Sequence, residues 1–515
     1  MKILDCTLRD GGYYTNWDFS ERITDSYFNA MNVLPVDYVE IGYRSKSYPE
    51  YLGKYFYCPD FVIENALRKM PNKKLAIMLN ERDVTPDDLP FLLNSCLGKI
   101  ELIRLAVDPN KLSRAIVLAG KIKSMGFKVA INLMYMSKIA NDQNVLSEIG
   151  KIKDEIDFLN LVDSYGGVYP EQVEDIFRFC KGITDIPLGF HGHNNMELAF
   201  ANTLTAIKVG CEIVDSTITG MGRGAGNLRT ELFLTWLANK NHVSVDFNEL
   251  ADTVALFEEM KEKFGWGTNL PYMVSGANSL PQKDVMDWVG KRYFSINSII
   301  QALENQKAGI KDNIKLGLFK PEISNLKKAV IVGGGNTAIE HFEAIKQFII
   351  HSENICIIHA SSKNAAPFTS LNVQQFFCLV GNEGKRFEKA IADIEIIKYT
   401  CVLPEYPRKM GTYIPERAKN NCFELEKVTF TDQFNDSHTA LSIQVALDLG
   451  IEEIYVAGYD GYSTPTTTQR EQELFIENST LFSKAEPLFK VFSTITPTRY
   501  KFNRSDSIYK LIGEK

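Results

Sequence analysis

Two stretches decide how this chain is read: ILDCTLRDGGYY at residues 3–14 and GFHGHNN at residues 189–195. Each begins as a short apolar run of strand character and ends in groups that carry chemistry, Arg9 and Asp10 in the first, His191 and His193 in the second. Extended a little, they become the strand runs 2–8 and 186–195, and six more runs of the same kind lie at 36–44, 74–80, 101–107, 127–136, 157–164 and 211–222. The segments between them, such as PEQVEDIFRFC and MELAFANTLTAIKVG, repeat apolar residues at three- and four-residue spacing, the signature of amphipathic helices. Eight strand–helix units within about 230 residues predict an α/β fold whose first part, residues 1–240, is a (β/α)8 barrel. A doubly wound open sheet is the alternative, but it seldom needs eight regular units.

The barrel reading brings the two stretches together. A strand points alternate side chains to the same face, so His191 and His193 share one while Gly192 points away. On closure only the eighth strand separates the seventh from the first, so Asp10 can approach both imidazoles. The loop after the eighth strand, GMGRGAGN at 220–227, adds Asn227 at the same C-terminal rim, where barrel enzymes keep their chemistry. One carboxylate, two imidazoles and an amide oxygen make a mixed nitrogen–oxygen site suited to Mn2+, Mg2+, Co2+, Fe2+ or Zn2+, and the donor set alone does not choose. A His-x-His pair by itself is more often packed or hydrogen-bonded than ligating; the acid on strand 1, preceded by Arg9, is what favours a metal. Arg9 has two readings, a donor to a substrate oxygen and a buried ion pair with Glu40 in VEIGYR.

LDCTLRDGG, FHGHNN and GMGRGAGN together resemble the three hallmarks of the DRE-TIM metallolyase (HMG-CoA lyase-like) superfamily, over about residues 1–230. That superfamily includes HMG-CoA lyase, isopropylmalate synthase, pyruvate carboxyltransferase domains and 4-hydroxy-2-oxovalerate aldolase. TLRDGG without the GEQ of the synthases leans toward the aldolase branch. The resemblance implies Asp10, His191 and His193 as ligands of a divalent cation, with Asn227 ligating in some branches, and Arg9 beside the substrate. It implies a carbon–carbon lyase or aldolase working through a pyruvate-type enolate, on a small 2-oxo acid and an aldehyde or sugar-derived partner. Mn2+ is the expected metal, with Mg2+, Co2+ and Zn2+ as alternatives. Ser164 in LVDSYGG matches a substrate-contacting position of the aldolases and is otherwise a turn or helix-capping residue. Asn132 can equally be a polar residue filling a barrel layer. One departure stands out: the aldolases place a histidine base three residues after the Asp, and here that residue is Tyr13, followed by Tyr14. A phenol, with pKa about 10, is a weak base at neutral pH unless a cation lowers it. Two other functions fit the same motifs, a Claisen-type acyl-CoA condensing synthase and a non-catalytic barrel that serves as scaffold for the rest of the chain.

Residues 241–325 read as a helical accessory segment, with helices at 246–265 and 289–306 and a loop at 266–284 between them. From 326 to 515 a new strand–helix alternation predicts a Rossmann-like, doubly wound nucleotide-binding domain. AVIVGGGNTAIEHF sets Gly333, Gly335, Asn336 and Ala338 between a strand and a helix, the context for a phosphate on a helix N-terminus. An NAD site expects an acid about 20 residues on; the chain offers Ser361, Ser362 and Lys363, which favours NADP or another phosphorylated ligand. With DSHTALSIQVALDLGIEEIYVAGYDG, this part loosely resembles Rossmann-like domains of the pterin pyrophosphokinase-like and sialyltransferase-like type, which handle nucleotides or nucleotide sugars. Asp436, His438 and Asp460 fall at the expected crevice. Such fusions are associated with surface-polysaccharide biosynthesis.

Composition sets the outer bounds. The 515 residues exceed one ordinary domain. The hydrophobic fraction of 45% and charged fraction of 23% are those of a globular protein. There is no apolar run of about 18 residues or more, hence no expected membrane span. A net charge of −7 without a basic face argues against nucleic acid. Nine cysteines without a CxxC pair read as reduced buried thiols. MKILDCTLRD lacks the apolar character of a secretory signal, so a cytoplasmic location is expected, with a homo-oligomer left open.

Overall fold

The computed structural model describes residues 1–49, 51–139, 142–291, 296–309, 314–321, 325–391, 399–408, 412–462 and 469–513. The chain divides into two compact units, Met1–Met286 and Asp287–Lys515. In the first, eight parallel strands close into the expected barrel: β1 (Lys2–Asp5), β2 (Tyr38–Tyr43), β3 (Lys74–Asn80), β4 (Leu102–Val107), β5 (Lys128–Leu133), β6 (Phe158–Asp163), β7 (Leu188–Gly192) and β8 (Ile213–Ser216). The closing pair runs from Lys2 opposite Ile213 to Asp5 opposite Ser216.

The two-residue period of a strand explains how this sequence builds both a core and a site. Outward-facing Val39, Ile41, Ile77, Ile103, Leu105, Val129, Ile131, Leu159, Leu161 and Val214 join the helices in one large apolar core. Inward-facing Leu4, Tyr38, Ala76, Leu102, Ala130, Phe158 and Ile213 form a separate apolar floor. Two residues further along the strands the interior turns polar: Glu40 follows Tyr38, Arg104 follows Leu102, Asn132 follows Ala130, Asn160 follows Phe158 and Asp215 follows Ile213. All five are buried.

The ends of the elements differ from expectation in instructive ways. The first strand stops at Asp5, and TLRDGGYYT is a helix, Thr7–Thr15, rather than a strand end and loop. Asp5 sets this switch: its carboxylate accepts from the Thr7 amide (2.9 Å) and hydroxyl (2.6 Å), from Tyr27 (2.5 Å) and from Thr230 (2.6 Å). A carboxylate at the start of a helix meets free amides and the positive end of the dipole. The helix Phe247–Phe264 forms as expected and docks on Glu21–Val33, with Ser26 and Thr253 hydroxyls 2.9 Å apart. The stretch 266–284, expected as loop, contains the helix Leu270–Ala277, because Asn269 caps it through the Tyr272 amide and Pro271 fits its first turn.

The second unit is a parallel α/β sheet, with strands β9 (Gly317–Leu318), β10 (Lys328–Val332), β11 (Ile355–His359), β12 (Gln375–Cys378), β13 (Tyr399–Leu403), β14 (Cys422–Glu424), β15 (Glu453–Ala457), β16 (Val491–Thr494) and β17 (Arg504–Ser505). Their order is β17-β16-β15-β10-β11-β12-β13-β14-β9. The start of the expected strand at 394–403 lies outside the described residues as far as 398. Both faces are buried: Ala329 and Ile331 pack on one side, Val330 and Val332 on the other. The chain leaves β10 toward β11 and later returns to its opposite side as β15, so the strand order reverses there and opens a crevice. All nine cysteines are buried free thiols. Among the described residues no helix is long and apolar enough to cross a membrane.

Candidate metal centre

Asp10, His191 and His193 meet at the C-terminal mouth of the barrel, each able to offer one ligand atom within 4.8 Å of the others. Asp10 comes from the first turn of Thr7–Thr15, and His191 from β7. His193 lies one residue past that strand and is held by a single bridge to Asn227. Their orientation is fixed by what lies behind them. His191 Nδ1 donates to the Asp215 carboxylate (2.8 Å) and His193 Nδ1 donates to the Asp163 carbonyl (2.7 Å). Both Nε2 atoms are therefore left as lone-pair donors, that of His191 being 3.5 Å from Asp10 Oδ2. Asn227 Nδ2 donates to Asp10 Oδ2 (2.6 Å), while its own Oδ1 is buried without a partner.

Behind the ligand atoms runs a chain of buried charges. Arg9 binds Asp10 Oδ1 through Nη1 (2.5 Å) and Glu40 Oε2 through Nε (2.8 Å). Arg104 binds the same Glu40 oxygen (3.0 Å) and Asp215 (2.5 Å), and its Nε donates to Asn132 (3.1 Å), which also accepts from Asn160 (3.0 Å). Two guanidiniums thus face three carboxylates, and a cation would offset the remaining negative charge. Glu40 Oε1 is a further buried oxygen without a partner. With two imidazoles, a carboxylate, an orphaned amide oxygen and an excess of negative charge, the residues fit a divalent cation.

The electrostatics follow from burial set against partners. Burial raises the Asp10 carboxyl, but Arg9 and the two imidazoles outweigh it and hold the pKa below the ordinary value. Asp215 is likewise penalised by burial, and Arg104 and His191 pull it down to about 2. His193 is lowered to about 4 by burial and by His191, so it stands as a neutral base.

The other residues singled out in the sequence fall as follows. Tyr13 is 37% exposed on the outer side of the mouth, its hydroxyl 3.4 Å from that of Tyr43. Ser164 follows β6, and its hydroxyl accepts from the Tyr135 amide (2.8 Å), bracing the neighbouring loop. Asn132 sits in the polar interior layer, between Arg104 and Asn160. Sequence reasoning missed Arg104 and Asp215; the available signal was a charge at the inward-facing register of the apolar runs ELIRLAV and CEIVD, two residues beyond Leu102 and Ile213, since an inward charge needs a partner.

In the second unit Gly333, Gly335, Asn336, Ser361 and Asp460 line one cleft of about 520 Å³ at the β10–β15 reversal, with Lys363, Glu383, Arg386, His438 and Glu477. The amides of Gly333 and Gly335 donate to the carbonyls of Ala457 (2.9 Å) and Gly458 (2.8 Å). The Asp460 carboxylate caps the next helix, accepting from the Thr337 amide (3.2 Å) and hydroxyl (2.5 Å). A Cβ at position 335 would lie 2.4 Å from Asp460 Oδ1, so glycine is what lets that carboxylate approach. Glu477 is pushed up to about 7 by burial.

Similarity to known proteins bears on this geometry. The HMGL-like family model matches residues 104–257. Oxaloacetate decarboxylase of Mycobacterium tuberculosis is 25% identical over 322 residues, 60% of this chain and 92% of that protein. 4-Hydroxy-2-oxovalerate aldolase of Pelotomaculum thermopropionicum is 27% identical over 270 residues, 51% of this chain and 78% of that protein. The crystal structure of the N-terminal domain of a candidate aldolase from Bacteroides vulgatus is 53% identical, with a TM-score of 0.56, covering 59% of this chain and all of that domain.

Proposed function

Because this chain belongs to the HMGL-like family through its N-terminal barrel, we propose that it is a divalent-metal-dependent aldolase or lyase. The reaction makes or breaks a carbon–carbon bond beside a ketone through a pyruvate-type enolate. The observation that carries this reading is the convergence of two uncommitted imidazole nitrogens on one carboxylate, beside a buried guanidinium. Asp10, His191 and His193 hold the cation, with Asn227 as a fourth donor, and Mn2+ is our assignment. When bound, the cation supplies Lewis acidity worth several kcal/mol of charge stabilisation.

The remaining roles fall to the chain's own groups. Arg9 uses Nε and Nη1 on Glu40 and Asp10 and has Nη2 left to donate to the enolate oxygen. Glu40 and Arg104 hold that guanidinium in place, and Asp215 fixes the His191 tautomer. Tyr13, coupled to Tyr43, carries the proton of the substrate hydroxyl. Ser164 braces the Tyr135 loop at the substrate side. The substrates are a small 2-oxo acid and an aldehyde or sugar-derived partner. For the second unit we assign a nucleotide or nucleotide sugar, with Asn336 and Ser361 toward the phosphates and Asp460 toward sugar hydroxyls, in surface-polysaccharide biosynthesis. The position of the cleft at the strand-order reversal supports that assignment.

The test is metal analysis of the purified protein followed by pyruvate deuterium exchange monitored by NMR. Metal-dependent exchange at C3, abolished by chelation and by His193→Ala, is the expected outcome. Exchange that survives both would overturn the reading, and thiol release that depends on acetyl-CoA would replace it with a condensing synthase.

A further inference from the structure

Arg223 stands at the crest of the loop that follows β8. The backbone of that loop is braced from every side: Asn227 N donates to Gly220 O (3.0 Å), Asn194 N to Gly226 O (2.8 Å) and Gly226 N to Arg223 O (3.3 Å). The Tyr14 hydroxyl donates to Gly224 O (3.0 Å). Gly226, at φ +79°, brings the chain so close to Gly220 that a Cβ would lie 2.1 Å from its carbonyl oxygen. The root of the Arg223 side chain is therefore fixed, and Asn227 of the same loop touches Asp10.

The guanidinium of Arg223 is half-buried, with its carbon 5.6 Å above the Tyr13 ring. Other shielded arginines in the barrel unit are tied down: Arg9 and Arg104 to carboxylates, Arg44 to the carbonyls of Leu92 and Cys58. Among the described residues no carboxylate or carbonyl pairs with Arg223. A guanidinium lying on a ring face has its edge of N–H donors free, the fork that matches a carboxylate or phosphate. The ring beneath it, Tyr13, belongs to the helix that carries Asp10, which sets the guanidinium at the mouth.

A second cation comes from the loop after β5. Lys138 Nζ lies 5.4 and 5.3 Å from the ring centroids of Tyr135 and Tyr165, themselves 5.1 Å apart. Tyr135 is held at φ +60°, in the left-handed region that residues other than glycine rarely adopt. Such strain collects where a side chain must be aimed. Tyrosine rings and two cations thus rim a mouth whose ligand atoms lie deeper.

Resting on the aldolase reading above, we propose that Arg223 determines specificity by holding an anionic group, carboxylate or phosphate, at the far end of the aldehyde substrate, with Lys138 as the supporting cation. The reaction balances without another reagent: pyruvate C3 loses a proton, C3 bonds to the aldehyde carbon, and the aldehyde oxygen gains a proton. The pyruvate moiety occupies the depth at Arg9, and the anion of its partner reaches outward to Arg223.

The metal-loaded full chain tests this with pyruvate and three probes, butanal, succinic semialdehyde and glyceraldehyde 3-phosphate. The wild type is expected to prefer one of the two anionic aldehydes over butanal by about 100-fold in kcat/KM, the preferred one telling carboxylate from phosphate. Arg223→Gln is expected to shrink that preference below about 10-fold, chiefly by raising KM for the anionic aldehyde, and Arg223→Lys to keep an intermediate value. A wild type indifferent to charge would overturn the assignment, as would a variant that slows all three probes equally. If the glutamine variant does not fold, ionic strength decides: salt must weaken the anionic reaction of the wild type and spare the neutral one. Pyruvate exchange with no charge preference removes only the role of Arg223, whereas absence of exchange removes the aldolase reading and this assignment together.

Discussion

Both units of this chain gather polar residues at the C-terminal ends of parallel strands or in the loops just beyond them, yet the two sites are wired differently. At the barrel mouth, side-chain hydrogen bonds lie behind the imidazoles and leave two ring nitrogens uncommitted toward Asp10. At the crevice of the open sheet, the Gly333 and Gly335 amides are spent on Ala457 and Gly458 and Asp460 accepts from Thr337, so a phosphate there would have to be met by side chains such as those of Asn336 and Ser361. A His-x-His pair and a glycine-rich turn are comparable as sequence signals. What separates them is whether the groups that bind ligands are left free by the fold.

The largest expected effect tests the barrel side of this contrast. His193→Ala should remove bound metal and lower pyruvate exchange by about a thousandfold or more, measured by elemental analysis and NMR. A metal-replete variant would break the comparison.

Next comes the pH response of the second unit, through Glu477, whose burial raises it from 4.5 to about 7. A carboxyl raised in the folded state binds more protons folded than unfolded. Its favourable contribution is complete below 4.5 and is lost as pH rises to about 7, on the order of 3 kcal/mol. Denaturant unfolding across that window should show the decline, and Glu477→Gln should flatten it.

Asp215→Asn sharpens the barrel side more gently. Exchanging the charged, acceptor-only carboxylate behind His191 for a neutral amide should weaken metal affinity by about 10- to 100-fold while the ligands remain, as read by metal titration. The smallest effect lies at Asp460. Asp460→Ala removes a cap and should cost about 1 kcal/mol in unfolding free energy. It should also tighten binding of inorganic phosphate if the carboxylate occupies an anion position; unchanged phosphate affinity would break that side of the comparison.

Much of this was legible in the sequence, because local pattern carries it. The eight apolar runs, the Arg9-Asp10 and His191-x-His193 placements and the second strand–helix alternation are all written in short stretches. Pairings between distant residues were not legible. Arg104 and Asp215 lie 111 residues apart and meet only once the barrel closes. The turn from strand to helix at Asp5 depends on Tyr27 and Thr230, which no local reading supplies. The helix Leu270–Ala277 was obscured by Pro271, Ser275 and Gly276, residue types common in loops, although its Asn269 cap was in plain view. β14 and β16, at three and four residues, are too short to show a period.

The two-residue step from apolar floor to charged layer has a consequence for assembly of the barrel. A slip of one residue in the pairing of β4 or β8 would turn Arg104 or Asp215 outward among the aliphatic side chains beneath the helices, stranding an unpaired ion at a cost of several kcal/mol. Misaligned closures are thus penalised by the same charges that orient the histidines, and fidelity of strand alignment comes as a by-product of the chemistry.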